Sequence, residues 1–244
     1  MKIVTYNIRG GRGSDGVRST ERIAEVLLGL SPDIVLLQEV HQRLPQTKFV
    51  DQPSRLQMSL GMPLIFQANL RLGVGGYGVA VATRYPICQV QNHLLPSVRE
   101  QRGVLQVTLE VEGEPLTVFC THWGLSGAER ERQAARLAEL VRDVSGRVVV
   151  GGDFNERPDA AGIRSLLTQT GLRDADAAQN RLTYPADAPE ARIDYFFYSP
   201  EITLLEVSPV LSLASDHFPL AAVFESASER CAGTSSPGGL IVPK

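Results

Sequence analysis

The sequence predicts an α/β fold in which two β-sheets pack face to face between flanking helices. Short strand-like segments alternate with a few helix-like ones along residues 1–225. Some neighbouring strands are joined directly and others through helices, which implies mixed sheets. Strands in such number, on the order of ten in one domain, split into two packed sheets rather than extend a single one.

The elements follow in chain order. Residues 2–8 are β-rich, and Ile23, Val26, Leu27 and Leu30 then recur at helical spacing until Ser31-Pro32 stops the helix. Residues 33–38 (Asp-Ile-Val-Leu-Leu-Gln) form a short apolar run of the kind found in a strand buried on both faces. Further strands are read at 76–83, 104–112 and 116–121, the last two joined by a hairpin around Gly113-Glu114-Pro115. Ser126-Gly127-Ala128-Glu129 has the spacing of a capping box. It precedes an apolar stripe of Ala134, Leu137, Ala138, Val141 and Val144 that runs up to Gly146. A buried strand at 147–150 leads into Gly151-Gly152, a short helix covers 163–167, and strands complete the order at 193–198, 202–210 and 218–224. No linker interrupts residues 1–225, which reads as one domain. From Ser226 onward the Ser/Gly/Pro-rich composition offers little to bury, so 226–244 reads as a flexible tail.

Composition narrows the function. With 244 residues, 43% of them hydrophobic, the chain can bury a substantial core. A net charge of −3 with interspersed signs argues against a protein that holds nucleic acid by bulk electrostatics, though a local basic groove escapes that test. Cys88, Cys120 and Cys231 are far apart and form no Cys-x-x-Cys, which suggests neither a disulfide framework nor a zinc site and fits a reducing compartment. The chain runs from Met1 straight into a strand pattern, and no stretch approaches the roughly 20 apolar residues of a membrane span. The expectation is a soluble, cytoplasmic protein that needs no obligate protein partner.

Polar residues stand where the strands end: Asn7, Gln38-Glu39, His122, Asp153 with Asn155, Asp194, and Asp216-His217. Strand ends in a layered sheet converge on a rim, where loops hold functional groups on a rigid base. Carboxylate oxygens with an Asn carbonyl are hard ligands suited to Mg²⁺ or Mn²⁺, and two histidines with a spare carboxylate can manage protons and phosphate charge. Each residue alone also has an ordinary reading. Asn7 and Gly152-Asp153-Phe154-Asn155 suit turns, Glu39 could be the first solvated residue after a strand, and His122 a hydrogen-bonded core histidine. Asp194 could pair with Arg192, and Ser215-Asp216-His217-Phe218-Pro219 could be a Pro-stiffened turn.

Taken in order, Thr5-Tyr6-Asn7, Leu37-Gln38-Glu39-Val40, Thr121-His122-Trp123, Gly152-Asp153-Phe154-Asn155, Ile193-Asp194-Tyr195 and Ser215-Asp216-His217 resemble the endonuclease/exonuclease/phosphatase superfamily. The resemblance spans residues 1–225 and implies a four-layered α/β-sandwich. It also implies a metal-dependent phosphoesterase using Mg²⁺ or Mn²⁺. Glu39 would be the principal metal ligand, with Asn7 and Asp216 completing the shell directly or through water. Asp153 would orient or deprotonate the attacking water, and Asn155 would bind the phosphate or that water. Asp194 would fix the tautomer of His217, and His122 would contact a non-bridging oxygen or assist the leaving group.

Arg84 and Arg102 stand near strand ends and could hold substrate phosphate, or could be solvated surface arginines. Tyr77, within a Gly-rich stretch, could shape the pocket or pack a loop, and Trp123 could wall the site or cap the core. The substrate is less constrained. His122 stands where the superfamily's abasic-site endonucleases place a tyrosine, and is closer to the deoxyribonuclease, sphingomyelinase and deadenylase pattern. There is no Lys/Arg-rich insertion and no apolar hairpin for membrane insertion. Phosphodiesters rank above phosphomonoesters and nucleic acid above lipid. The alternatives are a sphingomyelinase-like phosphodiesterase, a small-molecule phosphatase, or a lapsed binding scaffold on the same fold.

Overall fold

A computed structural model describes residues 1–225. The flexible tail expected at 226–244 lies outside the described residues. Among the described residues, twelve strands form two six-stranded mixed sheets. The first sheet has the order β11-β12-β1-β2-β4-β3 and the second β5-β6-β7-β8-β10-β9. In chain order the strands are β1 (Lys2–Asn7), β2 (Ile34–Gln42), β3 (Leu64–Leu72), β4 (Gly75–Thr83), β5 (Ile87–Leu94) and β6 (Gly103–Val111). They continue with β7 (Glu114–His122), β8 (Arg147–Asp153), β9 (Arg173–Asp174), β10 (Asp194–Tyr198), β11 (Leu204–Pro209) and β12 (Leu220–Phe224). Helices α1 (Thr20–Leu30) and α2 (Gln52–Leu60) cover the first sheet, and α3 (Gly127–Arg142) and α4 (Ala161–Thr170) cover the second.

The four layers follow from period-two alternation. Ile3, Leu36 and Val81 meet Leu105, Val118, Val149 and Phe196 between the sheets. Val4, Val35 and Leu37 point the other way, onto Ile23, Leu27 and Leu56 of α1 and α2. On the far side Phe119, Val148 and Val150 pack against Leu137 and Ile163. Residues 34–37 are therefore apolar without interruption because both faces of β2 are covered, and each such side chain stabilises by about 1.5–3 kcal/mol.

Local chemistry sets the boundaries. Ser19 caps α1 by accepting the Arg22 N–H at 3.1 Å, and Ser31 ends it in the left-handed region before Pro32. The β6–β7 hairpin turns through Glu112 (φ 56°) and Gly113 (φ 80°), the paired positive angles that match strand twist. The expected capping box of α3 is not made. Ser126 is its N-cap without a side-chain bond, and the buried Glu129 accepts the N–H of Val98 instead.

Elements β3, β5 and α2 carry no clear sequence signal. β5 is an edge strand exposed along most of its length, so its polar pattern does not alternate, and β3 mixes Asn69 and Arg71 into its apolar positions. Helix α2 is nine residues long with a proline in its first turn.

Candidate active site

The topology brings the polar strand ends to one rim. β1 and β2 run parallel, as do β7 and β8, so each parallel pair places its C-terminal ends side by side. Asn7 and Glu39 come from the first pair. His122 and Asp153 come from the second and stand opposite each other in register. β10 is antiparallel to β8 and sets its first residue, Asp194, against Asp153. β12 is antiparallel to β1, so Asp216 and His217, just ahead of it, arrive at the same edge.

Two backbone features aim these groups. A bulge between Leu37 and Val40 places Glu39 at φ 55°, an uncommon conformation for a non-glycine residue, and turns its carboxylate into the rim. A Cβ on Gly152 would lie 2.0 Å from the Thr121 carbonyl oxygen, so only glycine lets β7 and β8 close up beneath His122 and Asp153. Phe154 then anchors the loop edge-on against Trp123, Tyr195 and Phe197, with ring centroids 4.6, 5.5 and 5.1 Å away.

Asp153 is the hub. Its Oδ1 accepts the backbone N–H of Asn155 at 2.9 Å, and its Oδ2 accepts from the Asn7 side-chain amide at 2.9 Å. The Nε2 atoms of His122 and His217 lie 3.4 and 3.7 Å from that same Oδ2. Burial raises the carboxyl to about 7, a rise that the His217 charge opposes.

His217 and His122 are held in opposite states. Nδ1 of His217 lies 2.9 Å from Oδ2 of the buried Asp194, and the Tyr184 ring packs on the imidazole with centroids 4.7 Å apart. Burial works against its charge, but Asp194 and then Asp153 outweigh it and raise His217 to about 10. Arg192 does not compete for Asp194: it pairs with Asp174 and Asp176 and stacks over Tyr195. Nδ1 of His122 accepts from the Arg102 guanidinium at 2.9 Å. Because arginine only donates, His122 carries its proton on Nε2, facing Asp153. Burial, then the charges of Arg102 and His217, hold its pKa well below the usual value. Nδ2 of Asn155 lies 3.1 Å from Nε2 of His122 and also donates to the Trp123 carbonyl at 3.0 Å. Two N–H groups cannot bond each other, so the Trp123 carbonyl holds that amide.

The carboxylate set suits a hard cation. Glu39 is half-buried, the Asn7 amide donates to it at 3.1 Å, and desolvation raises its pKa. A desolvated carboxylate facing a cavity with so little compensation calls for a positive charge. Asp216 stands beside it, ion-paired to Arg9 at 3.2 Å. Asn7 stands between the carboxylates of Glu39 and Asp153. Its Oδ1 accepts the Arg9 N–H at 3.0 Å while its amide nitrogen faces Glu39 and Asp153, so it orients the two carboxylates. Glu39 and Asp216 offer carboxylate oxygens of the kind that Mg²⁺ or Mn²⁺ takes.

These groups surround a cavity of about 660 Å³. Arg102 lines it, but is engaged with His122 and with Glu100 at 2.8 Å, so it positions the histidine as much as it faces substrate. Arg84 is not brought to the site. Its N–H bonds Asp33 at the start of β2, roughly 20 Å from Glu39 at about 3.3 Å per residue, because β4 runs antiparallel to β2. Tyr77 lines the cavity, whereas Trp123 is buried in the core beneath it. Arg9, Arg18, His41 and Tyr184 also line the cavity and were not anticipated. Arg9 lies two residues after Asn7, which could have flagged it. The other three carry no local signal.

Comparison with known proteins bears on the family and the fold. The profile of the Endonuclease/Exonuclease/phosphatase family matches residues 4–217. YbhP of Escherichia coli K12 is 29% identical, covering 91% of this chain and 95% of that protein. An endonuclease/exonuclease/phosphatase family protein from Leptotrichia buccalis superposes with a TM-score of 0.77 at 21% identity, covering 92% of this chain and 99% of that one. The mannosyl-6-phosphatase Bt3783 of Bacteroides thetaiotaomicron gives a TM-score of 0.74 at 19% identity, covering 92% and 99%. At such identities the structural likenesses establish the shared fold.

Proposed function

Because the chain belongs to the endonuclease/exonuclease/phosphatase family, whose members hydrolyse phosphoester bonds, we propose that it is a Mg²⁺- or Mn²⁺-dependent phosphodiesterase acting on nucleic acid. One observation carries the reading. A carboxyl oxygen of Asp153 stands between Nε2 of a neutral His122 and Nε2 of a charged His217, beside the half-buried carboxylate of Glu39. Hydrolysis of a phosphodiester needs a base near neutrality for water, cationic or N–H donors for the phosphoryl oxygens, and hard ligands for a cation.

Glu39 and Asp216 would hold the divalent cation, which would supply neutralisation of the negative charge that grows during the reaction. Asp153, with a pKa of about 7, accepts a proton from the attacking water. The His217 imidazolium, kept charged by Asp194, binds a non-bridging oxygen and stabilises the charge that grows there in the transition state. The neutral His122 donates from Nε2 to a second oxygen, its tautomer fixed by Arg102. Asn155 orients the phosphate or the water, and Asn7 orients Glu39 and Asp153.

Nucleic acid is preferred because Arg9, Arg18 and Arg102 all line the cavity. A lipid phosphodiester is the second reading, favoured by Leu72 and Leu125, which line the same mouth and are 52% and 74% exposed. A lapsed scaffold is disfavoured by the presence of Glu39, Asp153, Asp194, Asp216 and both histidines. The test is hydrolysis of bis-(p-nitrophenyl) phosphate with and without EDTA, followed by plasmid DNA, single-stranded DNA, RNA and sphingomyelin under matched Mg²⁺ or Mn²⁺. EDTA-sensitive turnover with nucleic acid cleaved is expected. Cleavage of sphingomyelin alone reverses the substrate choice, and no turnover with either metal overturns the enzyme reading.

A further inference from the structure

A second cavity, of about 550 Å³, adjoins the catalytic one, and Arg18 and Gln46 line both. Its charged lining is one-sided: Arg12, Arg18, Lys48 and Arg55 against Glu21 alone. Glu21 is already engaged, by Arg55 at 2.8 Å and by the Ser19 hydroxyl at 3.0 Å. The cavity on the other flank differs, with Arg99 and Arg102 balanced by Glu100 and Glu129.

The placement of Arg12 and Arg18 is built into the backbone. They face each other across an antiparallel bridge that closes the loop between β1 and α1, and Gly13 N–H bonds the Val17 carbonyl just inside it. Like charges directly opposite across such a bridge repel. No acidic side chain among the described residues lies within ion-pair distance of either one. The Arg18 guanidinium is nevertheless fixed in place, donating to the carbonyls of Gly10 at 3.1 Å and Arg9 at 3.3 Å, which aims it at the junction of the two cavities. Burial, and then the charges of Arg12 and Arg9, press its pKa down. Holding two guanidiniums together without a counter-ion costs free energy that a bound anion returns.

We propose that Arg12 and Arg18 form a second phosphate subsite, which takes the neighbouring backbone phosphate of a polynucleotide whose scissile phosphate lies at Asp153 and the two histidines. This rests on the phosphodiesterase reading above and adds a direction to it. The chain leaves the catalytic cavity past Arg18 toward Lys48, not toward the charge-balanced Glu100 flank. The subsite favours substrates with at least two phosphates in series over isolated phosphoesters.

Fluorescein-labelled hexathymidylate, titrated by fluorescence anisotropy in EDTA, tests the subsite without turnover. Arg12→Ala/Arg18→Ala is expected to weaken binding at least about tenfold and to lower the slope of log affinity against log salt by roughly 0.7, the value for one lost single-strand phosphate contact. Arg12→Glu, whose side chain makes no hydrogen bond that the fold needs, is expected to weaken binding by as much or more. Arg132→Ala on α3 is expected to have no effect. Equal weakening by Arg132→Ala, or no weakening by the double and Arg12→Glu variants, overturns the proposal. So does an effect seen only with phosphatidylserine vesicles, which would assign the groove to a lipid surface. With Mg²⁺, Arg12→Glu, which lies outside the catalytic cavity, should hydrolyse bis-(p-nitrophenyl) phosphate within about twofold of wild type while losing at least about tenfold in kcat/KM on hexathymidylate. Equal loss on both substrates is a second refutation. Wild-type protein that binds hexathymidylate through these arginines but cleaves nothing would sink the enzymatic reading and leave the subsite standing.

Discussion

Replacing Asp194 by Asn probes the charge relationship at the centre of the site. The residue is buried at the start of β10, its Oδ2 lies 2.9 Å from Nδ1 of His217, and its backbone N–H is held by the Thr183 hydroxyl at 3.3 Å. Asparagine keeps the shape and an acceptor for Nδ1–H but removes the charge. The rise of His217 from 6.5 to about 10 amounts to roughly 5 kcal/mol of preference for the imidazolium. Asp194 supplies the largest raising effect and a second one through its hydrogen bond, against the pull of burial. Assigning it half of the net value gives about 2.5 kcal/mol, close to 10² in rate if the imidazolium faces charge that grows in the transition state. With bis-(p-nitrophenyl) phosphate and Mg²⁺ at pH 7, kcat should fall by about 10²-fold or more while KM moves less than about threefold. The NMR titration midpoint of His217 should drop toward the neutral range. Turnover within about tenfold of wild type, or a midpoint that stays near 10, would refute the assigned role.

Glu39→Gln should leave thermal stability in EDTA unchanged or higher, because burial raises this carboxyl and its ionised form is the costly one. The same variant should lose the Mg²⁺-induced rise in Tm, worth about 2.7 kcal/mol at a hundredfold excess over Kd, and retention of that rise would remove Glu39 from the metal site. Phe154→Ala should cost about 3–5 kcal/mol in urea denaturation, since its ring meets three buried aromatics; a loss below about 1 kcal/mol would contradict that packing. His41 is depressed to about 4 by burial and by Arg18, so the unfolded chain binds its proton first as pH falls. Its stabilising contribution is complete above pH 6.5 and disappears as pH falls toward 4. By pH 5 wild type should have lost about 2 kcal/mol relative to His41→Asn, as read from urea midpoints at pH 7 and 5, and parallel losses in the two proteins would show that His41 does not titrate this way.

Much of the architecture is legible in local pattern. The run Ile34–Leu37 is apolar because sheet and helix cover both its faces, and Glu39, two residues further on, turns into the rim through a bulge. Glu39, His122, Asp153, Asp194, Asp216 and His217 are each visible as polar residues at the ends of apolar segments, and the structure gathers all of them. Such signals are local, because a strand buried on both faces must be apolar and must end where a carboxylate can be used. Pairing direction is not local. Arg84 follows a strand just as His122 and Asp153 do, yet the antiparallel pairing of β4 with β2 carries it to the opposite rim. Edge strand β5 and short helix α2 bury too little to imprint a periodicity. The proton positions on the two histidines, the turn of Asn7 toward Glu39 and Asp153, and the pairing of Arg12 with Arg18 depend on atoms brought together from distant parts of the chain. Hydrogen bonds and charge effects at 3–4 Å are properties of those encounters, so composition and spacing cannot encode them individually.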